Sequence, residues 1–114
     1  MGRRVLVVDD DALILEVTAA MLNDLGCEVV TALCGQEALE RLQEDHGIEI
    51  LITDINMPNM DGYQLADRAR AIRSDLKVIL LSGRESDGHG FPFIRKPFFE
   101  QDLLTTMRHT TGTC

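Results

Sequence analysis

Ile48-Glu49-Ile50-Leu51-Ile52-Thr53-Asp54-Ile55-Asn56-Met57-Pro58-Asn59-Met60-Asp61-Gly62 decides the architecture. Its first half, Ile48 to Thr53, is apolar and rich in β-branched residues, and reads as a strand ending at Asp54. Met57 to Gly62 is turn chemistry: Pro fixes φ, while Asn, Asp and Gly tolerate unusual backbone angles. A helix follows from about Tyr63 to Arg73, presenting Leu65, Ala66, Ala69 and Ile72 to a core. A strand, a short loop and an amphipathic helix together make one β-α unit.

The same unit repeats on either side. Val5-Leu6-Val7-Val8 is apolar at every position, as a strand covered on both faces should be. The next helix carries Ile14, Val17, Met21 and Leu25 as its inward stripe and stops at Gly26. Glu28 to Ala32 is the second strand, and Gln36 to Glu44 is a helix with Ala38, Leu39 and Leu42 inward. Beyond the opening stretch, Lys77 to Leu81 and Phe93 to Arg95 are the fourth and fifth strands. A last helix, about Phe99 to Thr110, buries Leu103, Leu104 and Met107. Repeated β-α units with short loops predict a parallel α/β sheet with right-handed crossovers and helices on both faces.

Composition bounds the function. The 114 residues make one domain, 1–114, with no output domain expected, and that length buries a core without disulfides. Eleven basic residues against nineteen acidic ones leave a net charge of −8, with no basic cluster, so no direct nucleic-acid contact is expected. No apolar run approaches the roughly 20 residues of a membrane span. Asp9-Asp10-Asp11 ends the first apolar run too early for a signal peptide. Cys27, Cys34 and Cys114 have no metal or redox spacing. Cys27 and Cys34 read as buried free thiols in a reducing cytoplasm.

In doubly wound sheets, ligands bind beyond the carboxyl ends of the strands. Those ends here carry Asp9, Asp10 and Asp11, then Asp54, then Ser82, then Lys96. Each has a plain alternative. Asp11 precedes a helix and reads as its N-cap, and Asp10 could be a cap too. Asp54 and Ser82 could be turn residues, and Lys96 a surface charge. Their joint placement is the informative feature. Were Asp9, Asp10 and Asp54 to converge, each close pair would repel by roughly 4 kcal/mol at an effective dielectric near 20. An all-oxygen, carboxylate-rich set that must accept a phosphate favours a hard cation such as Mg²⁺.

Val7-Val8-Asp9-Asp10, Asp54-x-Asn56-Met57-Pro58-x-Met60-Asp61-Gly62, Leu80-Leu81-Ser82-Gly83 and Lys96-Pro97-Phe98 resemble the receiver domains of two-component response regulators, over nearly the whole chain. The resemblance implies a flavodoxin-like, doubly wound, five-stranded parallel sheet in the order 2-1-3-4-5. It implies that Asp54 is the phosphoacceptor. Asp9, Asp10, Asp54 and the backbone carbonyl of Asn56 would hold Mg²⁺, or Mn²⁺ in its place. Lys96 would pair with phosphoryl oxygens, Ser82 and the Gly83 N–H would bind the phosphoryl group, and Phe93 would be the switch aromatic. Asn56 and Arg84 would set phosphoryl lifetime, and Lys96-Pro97 would be a cis peptide. The implied partners are a histidine kinase or histidine phosphotransfer protein and a downstream protein, with the chain a monomer or weak dimer. The only implied catalysis is of its own phosphorylation and dephosphorylation.

Two other readings compete. A haloacid-dehalogenase-type phosphatase uses a strand-end D-x-D-x-Thr/Val, which Asp9 and Asp11 fit, but Leu13 stands at the Thr/Val position. A receiver-like binding module without phosphorylation would not need the full set Asp9, Asp10, Asp54, Ser82 and Lys96. One departure from the family is plain. Receivers place a helix between the fourth and fifth strands, but Gly83 to Pro92 here holds three glycines and a terminal Pro. A loop is predicted there, with at most a single turn near Arg84 to Asp87, and His89 as a solvated loop residue.

Overall fold

The computed structural model describes residues 3–83, 91–96 and 98–111. Five strands form: β1 (Arg4–Val8), β2 (Glu28–Ala32), β3 (Ile50–Asp54), β4 (Lys77–Ser82) and β5 (Phe93–Arg95). They alternate with α1 (Ala12–Asp24), α2 (Gly35–Glu44) and α3 (Gly62–Ile72), and α4 (Glu100–Thr111) follows β5. All pairings are parallel, in the order β2-β1-β3-β4-β5. This is the flavodoxin-like sheet that the resemblance implied.

The period-2 geometry of strands explains the two cores. Val5 and Val7 of β1 point to one face, with Ile50, Ile52, Ile79 and Leu81, and meet α1 and α4 through Leu15, Leu22, Leu103 and Met107. Leu6 and Val8 point to the other, with Leu51, Val78 and Leu80, and meet α2 and α3 through Ala38, Leu42, Leu65, Ala66 and Ala69. Apolar residues at consecutive positions of the central strands β1, β3 and β4 are therefore all buried, as a sheet sandwiched between helices demands. Each fully buried Leu or Ile contributes about 1.5–3 kcal/mol.

Four expectations about side-chain placement are corrected. Leu15, Thr18 and Leu22 form the buried stripe of α1, while Val17 is 46% exposed and Ile14, Met21 and Leu25 are half-buried. Apolar residues run nearly all round α1, so spacing alone leaves its rotation open. The Thr18 hydroxyl is accommodated inside because it donates to the Ile14 carbonyl at 2.8 Å. Ile72 ends α3 at 40% exposure instead of entering the core. Cys27 is buried as expected, but Cys34 is exposed, standing at the N-cap of α2. Leu104 is half-buried.

Ten residues connect β4 to β5, fewer than a helical crossover normally takes. Of them, Gly83, Phe91 and Pro92 carry no helix. The expected turn near Arg84 to Asp87, His89 and the Lys96-Pro97 peptide lie outside the described residues.

Candidate phosphoacceptor and metal site

Adjacent strands end at slightly different heights, and the residues beyond them are tied together by backbone bonds. The Asp9 N–H donates to Ala32 at 3.2 Å, the Ile55 N–H to Leu81 at 3.1 Å and the Lys96 N–H to Ser82 at 2.6 Å. Asp9, the residue after β1, thereby lies beside Asp54, the last of β3, and Lys96, the first after β5.

The side chains converge as the sequence predicts. Asp9, Asp10 and Asp54 each bring a carboxylate oxygen to within 4.8 Å of the other two. The Lys96 ammonium donates to Asp54 Oδ1 at 2.9 Å and to Asp9 Oδ2 at 3.3 Å. Asp9 is held a second time, since its Oδ1 accepts the Asp11 N–H at 2.9 Å. Asp11 is the expected N-cap of α1, accepting from Leu13 and Ile14 at 3.0 and 3.2 Å. Asp9 and Asp54 are buried, whereas Asp10 is exposed. A ligand set with two anchored carboxylates and one open to solvent can take a cation that retains waters. That chemistry fits Mg²⁺.

The electrostatics are unbalanced. Burial pushes the Asp54 carboxyl above its ordinary value; the Lys96 hydrogen bond opposes this, and the Asp9 and Asp10 charges add to the rise. Burial pulls Lys96 down, but its contacts with Asp54 and Asp9 outweigh that and hold it above the usual lysine value. Burial leads for Asp54 and the neighbouring carboxylates prevail for Lys96, so among the described residues the site favours added positive charge over added negative charge.

Ser82 is buried at the end of β4, one residue past the Leu81 that pairs with Asp54 in the sheet register. Gly83 is exposed next to it, and Asn56 is exposed two residues beyond Asp54. Phe93 is half-buried and packs on the core between the sheet and α2–α3. Arg84 lies outside the described residues.

Two features of the site were not predicted. Leu13, Ile14, Val17 and Met21 of α1 line an apolar groove of about 440 Å³ with Phe98, and Gly83 and Lys96 form its end nearest the carboxylates. The off-phase apolar residues of α1 were its only sequence signal. The second is the packing of Gly62 against the chain around Asp54. Its N–H donates to the Ile55 carbonyl at 2.8 Å, and a Cβ on it would lie 2.5 Å from the Asp54 carbonyl oxygen. The turn between them places Asn59 at φ 70°, a left-handed angle that asparagine accepts more readily than most residues.

A doubly wound sheet with three carboxylates and a lysine at its carboxyl edge is the arrangement that the receiver resemblance implied. Residues 5–108 match the family model of the response regulator receiver domain, and the chain belongs to that family. It is similar to the two-component response regulator ARR11 of Arabidopsis thaliana, 43% identical over 72% of this chain and 16% of that protein. It is also 34% identical to the response regulator MprA of Mycobacterium ulcerans over 95% of this chain and 50% of that one. The chain thus spans half or less of the length of these relatives. Among solved structures it resembles the chemotaxis protein CheY4 of Vibrio cholerae, with TM-score 0.89, 30% identity and coverage of 96% and 99%. It likewise resembles the response regulator TrrA of Thermotoga maritima in complex with Mg(2+)-BeF, with TM-score 0.86, 31% identity and coverage of 96% and 99%. Among the described residues, no helix is long and apolar enough to cross a membrane.

Proposed function

We propose that Asp54 accepts a phosphoryl group from the histidine of a kinase or phosphotransfer protein, and that the chain then signals through protein contacts. The observation that carries this reading is the convergence of Asp9, Asp10 and Lys96 on the buried Asp54. An Asp54 oxygen attacks phosphorus, the new P–O bond forms, and the P–N bond breaks with its electron pair leaving on the imidazole. Asp9, Asp10, Asp54 and the Asn56 carbonyl would hold Mg²⁺, which would supply charge neutralisation for two anions brought together. Lys96 then exchanges its Asp54 contact for a phosphoryl oxygen, which it binds as a point charge. The Ser82 hydroxyl and Gly83 N–H donate to the product, and Asn56 and Arg84 set the lifetime of the acyl phosphate against water. Phe93 turns inward as Ser82 closes.

The donor must cover Asp54 to deliver its phosphoryl group, and the apolar groove is lined at one point by Lys96, which contacts Asp54. An apolar face of the donor protein fills that groove. Val17→Asp, at an exposed position, should therefore slow transfer from a phosphohistidine protein far more than transfer from phosphoramidate.

The reading is tested by incubating the protein with Mg²⁺ and phosphoramidate and weighing it intact. One phosphoryl adduct is expected, absent in Asp54→Asn. Turnover of added phosphomonoesters, or an adduct retained in Asp54→Asn, would overturn it.

A further inference from the structure

We infer that the first turn of α3, through Gly62, is the jig that sets the backbone of residues 54–56 for metal binding. The inference rests on the reading of Asp54 and the Asn56 carbonyl as cation ligands. Gly62 touches neither the cation nor the phosphoryl group; it is a positioning residue.

The chain after β3 leaves the sheet at Asp54 and must offer two ligands within three residues, a side-chain carboxylate and then a main-chain carbonyl. Nothing in the sheet ladder fixes Asn56, because the last ladder-like bond at this edge is Ile55 N–H to Leu81. What holds the other side of Ile55 is α3. The Gly62 N–H donates to the Ile55 carbonyl at 2.8 Å, which belongs to the peptide unit leading into Asn56. The approach is so close that an added Cβ would lie 2.5 Å from the Asp54 oxygen and 2.8 Å from the Ile55 Cα. Both obstacles are backbone, so no side-chain rotation relieves them.

The turn of helix that makes this approach is itself pinned. Asp61 accepts the Gln64 N–H at 2.9 Å, and Gln64 Oε1 accepts the Asp61 N–H at 3.1 Å, a reciprocal capping box. Gly35 provides the contrast. A Cβ there would meet the Met60 side chain, at 2.6 Å from Sδ, 3.1 Å from Cγ and 3.2 Å from Cβ, with no backbone atom among its three nearest neighbours. Both glycines abut the β3–α3 loop or its flank, yet only Gly62 is pressed against the main chain of the ligand-bearing residues.

Partners that orient metal ligands commonly set affinity by tenfold or more, without touching the ion. Gly62→Ala is therefore expected to weaken Mg²⁺ binding by about tenfold or more. Gly35→Ala should leave that affinity within about twofold, because only a side chain yields. Gln64→Ala adds no atom and removes half of the capping box, and should weaken Mg²⁺ several-fold with a modest fall in melting temperature. Affinity is read by calorimetric Mg²⁺ titration below each variant's melting transition, and stability is read separately by thermal unfolding. If Gly62→Ala does not fold, Gln64→Ala decides. A loss of stability with wild-type Mg²⁺ affinity in the folded variants would overturn the inference and reduce Gly62 to a packing role. Absence of Mg²⁺ binding in the unaltered protein would instead overturn the site reading on which it rests.

Discussion

The two ends of the same sheet both gather charge, and they treat it in opposite ways. At the amino edge, Arg4 donates to Asp45 and to Glu28, both at 2.8 Å, and Arg3 donates to Glu49 at 2.7 Å. These groups are partly or largely exposed, and cation and anion alternate. At the carboxyl edge, the buried carboxylates of Asp9 and Asp54 both contact Lys96, and the exposed Asp10 carboxylate lies beside them. The first arrangement gives each of its three carboxylates a guanidinium partner and ties β1 to β2 and to the α2–β3 connection. Among the described residues, the second is shorter of positive charge. Alternating pairs at the surface stabilise a fold slightly, whereas a buried surplus of one sign is unfavourable and signifies an ion or a reaction that completes it.

Removing the lysine should have the largest effect on stability. In Lys96→Ala, the buried carboxylates of Asp54 and Asp9 lose their half-buried cation, and without metal the fold should lose about 3 kcal/mol. Thermal unfolding with and without Mg²⁺ checks this, since the divalent ion should restore part of the loss. Restoration absent at saturating Mg²⁺ would mean that the carboxylates do not share a cation site.

Next comes the ion itself. Mg²⁺ at a hundredfold excess over its dissociation constant should stabilise the unaltered protein by about 2.7 kcal/mol. Asp10→Ala should abolish that shift while raising the metal-free melting temperature, because one repulsive charge is gone. A full Mg²⁺ response in Asp10→Ala would show that Asp10 is not a ligand.

The smallest effects belong at the amino edge. Arg4→Gln should lower the melting temperature only slightly, with the difference shrinking further in high salt. Its pH dependence has a defined sign. The Gly47 N–H, followed by Arg4, holds the Asp45 carboxyl below its ordinary value. A depressed carboxyl contributes stability above its unfolded value, near about 3.9, and loses it as pH falls through the lower folded value. Unfolding curves of the unaltered protein and Arg4→Gln should therefore converge only below about pH 4. Convergence already at pH 6 would assign the effect to another group.

The two edges also differ in how well the sequence announces them. Asp9, Asp10, Asp54 and Lys96 are legible because each ends an apolar strand, and parallel strands bring their ends to one edge. The amino-edge pairs are not legible, since Arg4, Glu28 and Asp45 are ordinary polar residues until the register sets Arg4 opposite Glu28. The same limit applies to α1. Its length, cap and existence follow from local sequence, but its rotation depends on whether Leu15 or Val17 meets the sheet. A helix apolar on several sides does not encode that locally. Cys34 reads as buried by residue type and is exposed because a helix cap sits at the loop surface. Gly62 is visible in the sequence as a turn glycine, but its contact with the Asp54 carbonyl is a tertiary fact. Strands β1, β3 and β4 are legible because their apolar runs admit no exposed face, whereas the order 2-1-3-4-5 followed from the receiver resemblance.

The central claim is that the charge surplus at the carboxyl edge exists to take a cation and then a phosphoryl group on Asp54. Site-mapped mass spectrometry of the protein after incubation with phosphoramidate, in Mg²⁺ and in EDTA, tests this most directly. The account predicts a phosphoryl group on the peptide containing Asp54 in Mg²⁺, and none in EDTA. Equal labelling under both conditions, or labelling confined to another residue, would contradict it.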